Sequence, residues 1–289
     1  MNIFQCILSV AAASAATVAT AAELPFRDGE KIAFLGDSIT ELGTKNPLGY
    51  VNLVMDGLAA AGLEVTAAPA GKSGHTSKNM LARVNRDVIS KKPDWMFLSC
   101  GVNDAPNGID NPGIPLEDYK ANICSILNRC AKAKIKVIIL TATPVVEEPE
   151  HVANKNLVAY NETLRAIAAE RKLPLVDLSK RFNAFIDKKA DKSVRLLTVD
   201  GTHMSPYGDI LMAYTILQQL GLKPEILHAC STKWLEKKDG WITKMNLSLS
   251  VREMEQIKAV LPPGFTLEQW VNSVVREEIK RNPGPAAGK

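Results

Sequence analysis

Aromatic side chains are scarce, at 6% of 289 residues. That excludes rows of stacking platforms along single-stranded nucleic acid or a crystalline polysaccharide. Charge of one sign is scarce too, with 35 Lys and Arg against 31 Asp and Glu. So small a surplus, with no basic stripe, is not the electrostatic footprint of a nucleic-acid binder. No C-x-x-C, H-E-x-x-H or H-x-x-x-H occurs. Zinc ribbons, dithiol redox chemistry and zinc-peptidase chemistry therefore lack their ligand spacing, and neither a cofactor nor a metal is expected. The G-x-S-x-G elbow and the S-x-x-K of serine–lysine enzymes are missing as well. With 46% apolar and 23% charged residues, intrinsic disorder and a multi-span membrane protein are excluded. The chain is long enough for one large α/β domain plus an extension.

One absence is local. Residues 1–22 carry no charged side chain; Ile3-Phe4 and Ile7-Leu8 lead into an Ala-rich stretch with Ala19-Thr20-Ala21 near its end. This reads as a secretory signal peptide with an A-x-A-type cleavage site, which predicts a secreted or periplasmic protein. An Ala/Thr-rich stretch makes a poor membrane span, so no stable membrane insertion is expected after cleavage. Export leaves Cys100, Cys124, Cys130 and Cys230. Cys100 ends an apolar run and reads as a small buried hydrophobe. Cys124 and Cys130 fall on different sides of one helix and cannot pair with each other. A disulfide at Cys230 is left open.

What is present alternates between strand and helix. Apolar strands are predicted at 31–35, 63–67, 95–99, 135–141 and 175–177. Helices are predicted at 48–61, 76–90, 116–133, 154–171 and 205–220, the last opened by Ser205 as N-cap and Pro206 behind it. Repeated βα units imply a parallel sheet with helices on both faces, and ligands on such sheets bind at the carboxyl ends of the strands. Beyond Gly221 the strands stop. Ser250-Val-Arg-Glu253 and Thr266-Leu-Glu-Gln269 look like capping boxes that open helices. The expected organisation is a signal peptide at 1–22, a catalytic domain at 23–221, a helical extension at 222–281 and a disordered tail at 282–289. The extension is expected to pack on the core, with a lid over the site as the alternative.

The strand ends carry the chemistry. After the first comes Gly36-Asp37-Ser38-Ile39-Thr40, and after the second Gly71-Lys-Ser-Gly74-His75-Thr76. Gly101-Val-Asn103-Asp104 follows the third, and Asp200-Gly-Thr-His203 precedes the last helix of the series. In this order the four pieces resemble the SGNH (GDSL-type) hydrolase/esterase superfamily over about 195 residues, up to Gly221. The expected fold class is α/β, a three-layer αβα, flavodoxin-like parallel sheet flanked by helices, with the helical C-terminal extension added.

A serine hydroxyl is a weak nucleophile until a positioned base takes its proton. His203 can do so from one ring nitrogen while the other donates to Asp200, which fixes tautomer and orientation. Ser38, Asp200 and His203 are the candidate catalytic residues, with the Ser38 hydroxyl expected to be exposed. Acyl transfer also needs donors for the developing oxyanion. The resemblance implies the N–H groups of Ser38 and Gly74 and the side-chain amide of Asn103. Ser73 and Gly71 are the rival serine and glycine. Asp37 and Asp104 are expected to order loop backbone, and His75 to be a loop or substrate-side residue. Many relatives carry Asn where this chain has Ala68 or Pro69, which removes one loop-bracing hydrogen bond. The run Glu147-Glu148-Pro-Glu150-His151 reads as a solvated rim.

These features point to an exported carboxyl-ester hydrolase acting on small-molecule or polysaccharide esters. Among exported relatives, deacetylation of carbohydrate is frequent, and the 105–115 loop is too poor in large apolar residues to wall a long acyl tunnel. Lysophospholipase or thioesterase action is the alternative. A non-catalytic glycan-binding module would have lost its nucleophile or base. Acyl transfer to an acceptor other than water stays open.

Overall fold

The computed structural model describes residues 24–107, 111–189, 195–237, 250–264 and 266–281. The expected signal peptide at 1–22 and the tail at 282–289 lie outside the described residues. The chain divides into two compact units, one spanning residues 6–242 and a second that takes in 243–289.

The first unit is built on five parallel strands: β1 (Lys31–Gly36), β2 (Thr66–Gly71), β3 (Trp95–Ser99), β4 (Lys136–Leu140) and β5 (Leu175–Val176). Their spatial order is β2-β1-β3-β4-β5, the doubly wound order of flavodoxin-like sheets. The helices are α1 (Ser38–Lys45), α2 (Tyr50–Ala60), α3 (Ser77–Asp87), α4 (Leu116–Lys132), α5 (Val152–Arg171), α6 (Leu178–Lys188), α7 (Pro206–Gln219) and α8 (Pro224–Glu236). The α/β expectation is borne out.

Strand alternation divides the core into two layers. Ala33, Leu35, Met96, Leu98, Val137 and Ile139 bury one face of the sheet with Met80 of α3, Ile123 of α4 and Leu164 of α5. Away from that cluster, Phe34 stacks on Phe97 with ring centroids 5.1 Å apart, and Tyr50 stands edge-on to Phe34. Helix α2 packs against α7, and α8 packs against both. Leu227, Cys230 and Trp234 of α8 are buried there, and each large apolar side chain so buried stabilises by roughly 1.5–3 kcal/mol.

Three elements differ from expectation. β2 runs later than 63–67 because it is an edge strand of low β propensity, Thr66-Ala-Ala-Pro-Ala-Gly71, and the sheet edge tolerates Pro69. Helix α1 begins inside what reads as a turn. Helix α6 was missed, although Leu178, Phe182, Phe185 and Ile186 supply its buried face and Asp177 its N-cap.

In the second unit, α9 (Val251–Val260) and α10 (Leu267–Arg281) open as their sequences suggest. The Ser250 hydroxyl accepts the Glu253 N–H while the Glu253 carboxylate accepts the Ser250 N–H; Thr266 and Gln269 do the same. Among the described residues no helix is long and apolar enough to cross a membrane.

Candidate active site

Strand β1 ends at Gly36, where an added Cβ would fall 2.0 Å from the Thr40 hydroxyl. Only glycine lets the chain turn so tightly into α1. Asp37 is the N-cap of that helix, its Oδ1 accepting the Ile39 N–H at 2.9 Å. Burial pushes the Asp37 carboxyl up to about 6 against that hydrogen bond, and the nearby Asp104 charge adds to the rise. Ser38 is therefore the first residue of a helix that starts at the carboxyl end of β1. The residue as a whole is 8% exposed.

The 196–205 segment brings the other two residues. Thr198 and Met204 form an isolated antiparallel bridge, and the Val199 N–H reaches the His203 carbonyl at 2.9 Å. The tight loop between them turns at Gly201, φ +98°, a conformation that glycine adopts without strain. Asp200 Oδ1 accepts the N–H groups of Thr202 (2.9 Å) and His203 (2.8 Å). Asp200 Oδ2 lies 2.6 Å from His203 Nδ1, and His203 Nε2 lies 2.9 Å from Ser38 Oγ. Partial burial raises the Asp200 carboxyl, but the His203 ring and the two backbone N–H groups outweigh it and hold the carboxyl below its ordinary value.

The loop after β2 carries Gly74, at φ +72° with no protein atom near a notional Cβ. Here backbone conformation, not crowding, demands glycine. Gly71 instead packs against α1, where a Cβ would meet the Glu41 nitrogen at 2.3 Å. The rival Ser73 gives its hydroxyl to the Glu41 carboxylate at 2.6 Å. Asn103, after β3, donates from its amide to the His75 carbonyl at 3.1 Å and so ties the second loop to the third. Asp104 accepts the Ser77 N–H at 2.8 Å and lies 3.3 Å from the Cys100 thiol.

Two charged residues escaped the sequence reading. Arg83, only 4% exposed on α3, donates to the carbonyls of Ala70 (2.7 Å) and Gly36 (2.8 Å) and to His75 Nδ1 (2.9 Å). It braces the ends of β1 and β2, where this chain has no Asn at the usual position. Its signal was an arginine on the apolar stripe of Met80 and Val84. Glu147 is not a solvated rim residue; it is 5% exposed and paired with Lys189 at 3.0 Å. The pairing needs a lysine 42 positions later, out of range of any local pattern.

A cavity of about 250 Å³ opens beside these loops, with Gly74, Asn103, Val102, Ala105, Val145 and Thr202 in its walls. Ile109, in the expected mouth loop, lies outside the described residues. Cys100, Cys130 and Cys230 are buried, Cys124 is half-buried, and all four are free thiols. Among the described residues no three His, Cys, Asp or Glu converge as metal ligands.

The sheet topology, with glycine and asparagine at the second and third strand ends, together with the relatives below, puts the chain among the SGNH-type serine esterases. The chain belongs to the GDSL-like Lipase/Acylhydrolase family, whose model matches residues 34–209. It is 27% identical over 212 residues to the acetylxylan esterase of Geobacillus stearothermophilus, covering 68% of this chain and 95% of that one. The crystal structure of that enzyme superposes with a TM-score of 0.62 over 68% of this chain and 96% of its own. Its catalytic mutants change a serine, an aspartate and a histidine. A second acetyl xylan esterase structure gives a TM-score of 0.60 at 27% identity, covering 65% of this chain and 98% of its own. Esterase TesA of Pseudomonas aeruginosa is 27% identical over 148 residues, 51% of this chain and 69% of that one.

Proposed function

We propose that this esterase is exported and removes short acyl groups, chiefly acetyl, from carbohydrate through a Ser38–His203–Asp200 triad. The carrying observation is the hydrogen-bonded sequence from Ser38 Oγ through the His203 ring to Asp200, close to a cavity of about 250 Å³. That volume lies below the usual range for drug-sized ligands, roughly 300–1,000 Å³. Its walls carry Asn103, Asn107, Asn111 and Thr202 among small apolar side chains, a lining that suits an acylated sugar better than a long alkyl chain. The acetylxylan esterase relatives and the uncharged 1–22 segment support the same reading.

In this mechanism Ser38 Oγ attacks the ester carbonyl carbon as His203 Nε2 takes its proton. The carbonyl electrons move to oxygen, where the N–H groups of Ser38 and Gly74 and the Asn103 amide hold the charge. Collapse breaks the bond to the alcohol, which leaves with the proton from His203. Water then adds to the acyl-enzyme by the same route in reverse, freeing the acid and restoring Ser38. Asp200 keeps Nδ1 protonated, so that Nε2 is the basic nitrogen.

The test compares p-nitrophenyl acetate, butyrate, octanoate and palmitate, alongside acetate release from acetylated xylan and pectin. The expected result is fastest turnover on acetate, with acetate freed from a polysaccharide. A preference for octanoate or palmitate would overturn the carbohydrate reading in favour of lipid-like esters or thioesters.

A further inference from the structure

The loop after β4 reaches the segment that delivers Asp200 and His203, and does so with a buried charge. Glu147 Oε1 accepts the N–H of Leu197 at 2.7 Å, that of Thr198 at 3.0 Å and the Thr198 hydroxyl at 3.3 Å. Oε2 accepts the Leu196 N–H and the Lys189 ammonium, each at 3.0 Å. Successive backbone N–H groups converging on one anion make a nest, a structure usually offered to a ligand and here filled from within the chain. Burial raises the Glu147 carboxyl, but these N–H groups and the ammonium outweigh it and hold the carboxyl below its ordinary value.

The same loop grips the segment a second time. The Val146 N–H donates to the carbonyl of Gly201, which stands between Asp200 and His203. Val146 sits at φ +46°, an uncommon conformation for a β-branched residue. Asn154 of α5 holds the loop there, accepting the Val145 N–H at 2.7 Å and donating to the Glu148 carbonyl at 2.8 Å. A methyl on Gly201 would come within 2.9 Å of Val146 Cγ1. The acid–base segment is thus fixed before its turn by Glu147 and within its turn by Val146, from a loop that is itself braced.

We infer that Glu147, charge-paired with Lys189, is a positioning residue for His203: it fixes the 196–203 segment so that Nε2 meets the Ser38 hydroxyl. The inference rests on the proposed roles of Ser38, His203 and Asp200. Glu147 touches no reacting atom. Its effect belongs in turnover and not in substrate binding, because displacing a reacting group by about 1 Å can cost ~10²-fold in rate.

The experiment is Glu147→Gln in the full chain, with active sites titrated by a fluorophosphonate so that misfolded protein does not count. The amide keeps the shape but withdraws the charge and turns N–H groups toward N–H groups. On p-nitrophenyl acetate, kcat per titrated site should fall about tenfold to a hundredfold with KM within about twofold. The deshielded proton that the His203–Asp200 hydrogen bond gives in ¹H NMR should broaden or shift. Glu147→Asp retains the charge but draws it back by one methylene, so it should lie between Gln and wild type. It decides the matter if the Gln variant does not fold. Wild-type kcat per site with an unmoved proton signal in the folded variant overturns the inference. Ser38→Ala separates the two levels: an active S38A protein sinks the triad itself, whereas a dead S38A beside a fully active Glu147 variant sinks only the positioning role.

Discussion

Asn103→Ala removes two things that can be read apart. One is the amide assigned to the oxyanion, and loss of a single such donor typically costs about 10²–10³ in kcat. The other is the 3.1 Å bond to the His75 carbonyl, which joins the loop after β3 to the one carrying Gly74. A neutral hydrogen bond of this kind contributes about 1 kcal/mol net, and the His75 carbonyl loses one partner. For a domain of this size that corresponds to roughly 2–4 °C in Tm. The bond also helps set the Gly74 loop, so KM should rise, though by only a few-fold. The assay is initial-rate kinetics on p-nitrophenyl acetate with parallel thermal melts. The expected pattern is kcat down by about two orders of magnitude, KM up slightly and Tm down by a few degrees. An unchanged kcat with a raised KM would refute the oxyanion role and leave Asn103 as a loop tie alone.

Ser38→Ala should abolish ester hydrolysis and fluorophosphonate labelling together while leaving the melting curve close to wild type; retained turnover would remove Ser38 as nucleophile. Asp209 of α7 is buried and accepts the Tyr50 N–H at 2.8 Å, and burial raises its carboxyl to about 8 against that bond. The folded protein therefore keeps a proton that the unfolded chain releases near 3.8, so this group's contribution is greatest below pH 4 and is lost as pH rises toward 8. Asp209→Asn keeps an acceptor without the charge, so wild-type stability should fall relative to the variant by up to about 1.4 kcal/mol per pH unit in that window. Parallel urea-denaturation curves from pH 5 to 8 would refute it. A chain ending at Leu222 loses α8 with Leu227, Cys230 and Trp234; it should aggregate or melt well below the full chain, and an equally stable truncated protein would show that α8 is dispensable to the core.

Strands that are apolar on both faces were legible from residue pattern alone. β3 occupies the expected 95–99, because every side chain in Trp95–Ser99 is buried and no alternation is needed to see it. β2 was displaced because an edge strand of alanines with a proline has little apolar signal. Helix α1 was hidden by the same Gly-Asp-Ser-Ile-Thr string that advertises chemistry: its N-cap Asp37 reads equally well as a turn residue. Ser38, Asp200 and His203 could be put forward in advance because nucleophilic chemistry restricts residue type, and Gly74 and Asn103 because the family resemblance points to them. The structure brings the Ser38, His203 and Asp200 side chains into hydrogen-bond contact. Arg83 and Glu147 could not be seen, since a buried charge is defined by partners distant in sequence. Arg83 reaches back 47 positions to Gly36, and Glu147 forward 51 to Thr198.

Ser38 and His203 meet across 165 positions of sequence, and this has a consequence in time. Ordering so long a loop costs entropy that no local contact returns, so the two side chains meet only once the intervening strands have docked. An emerging chain carries Ser38 from early on, yet holds it apart from His203 until the segment after α6 has closed over β1. Partly folded chains should thus be silent toward esters, and recovery of hydrolysis during refolding should trail the recovery of helical signal. Esterase activity should therefore appear only after the sheet has formed.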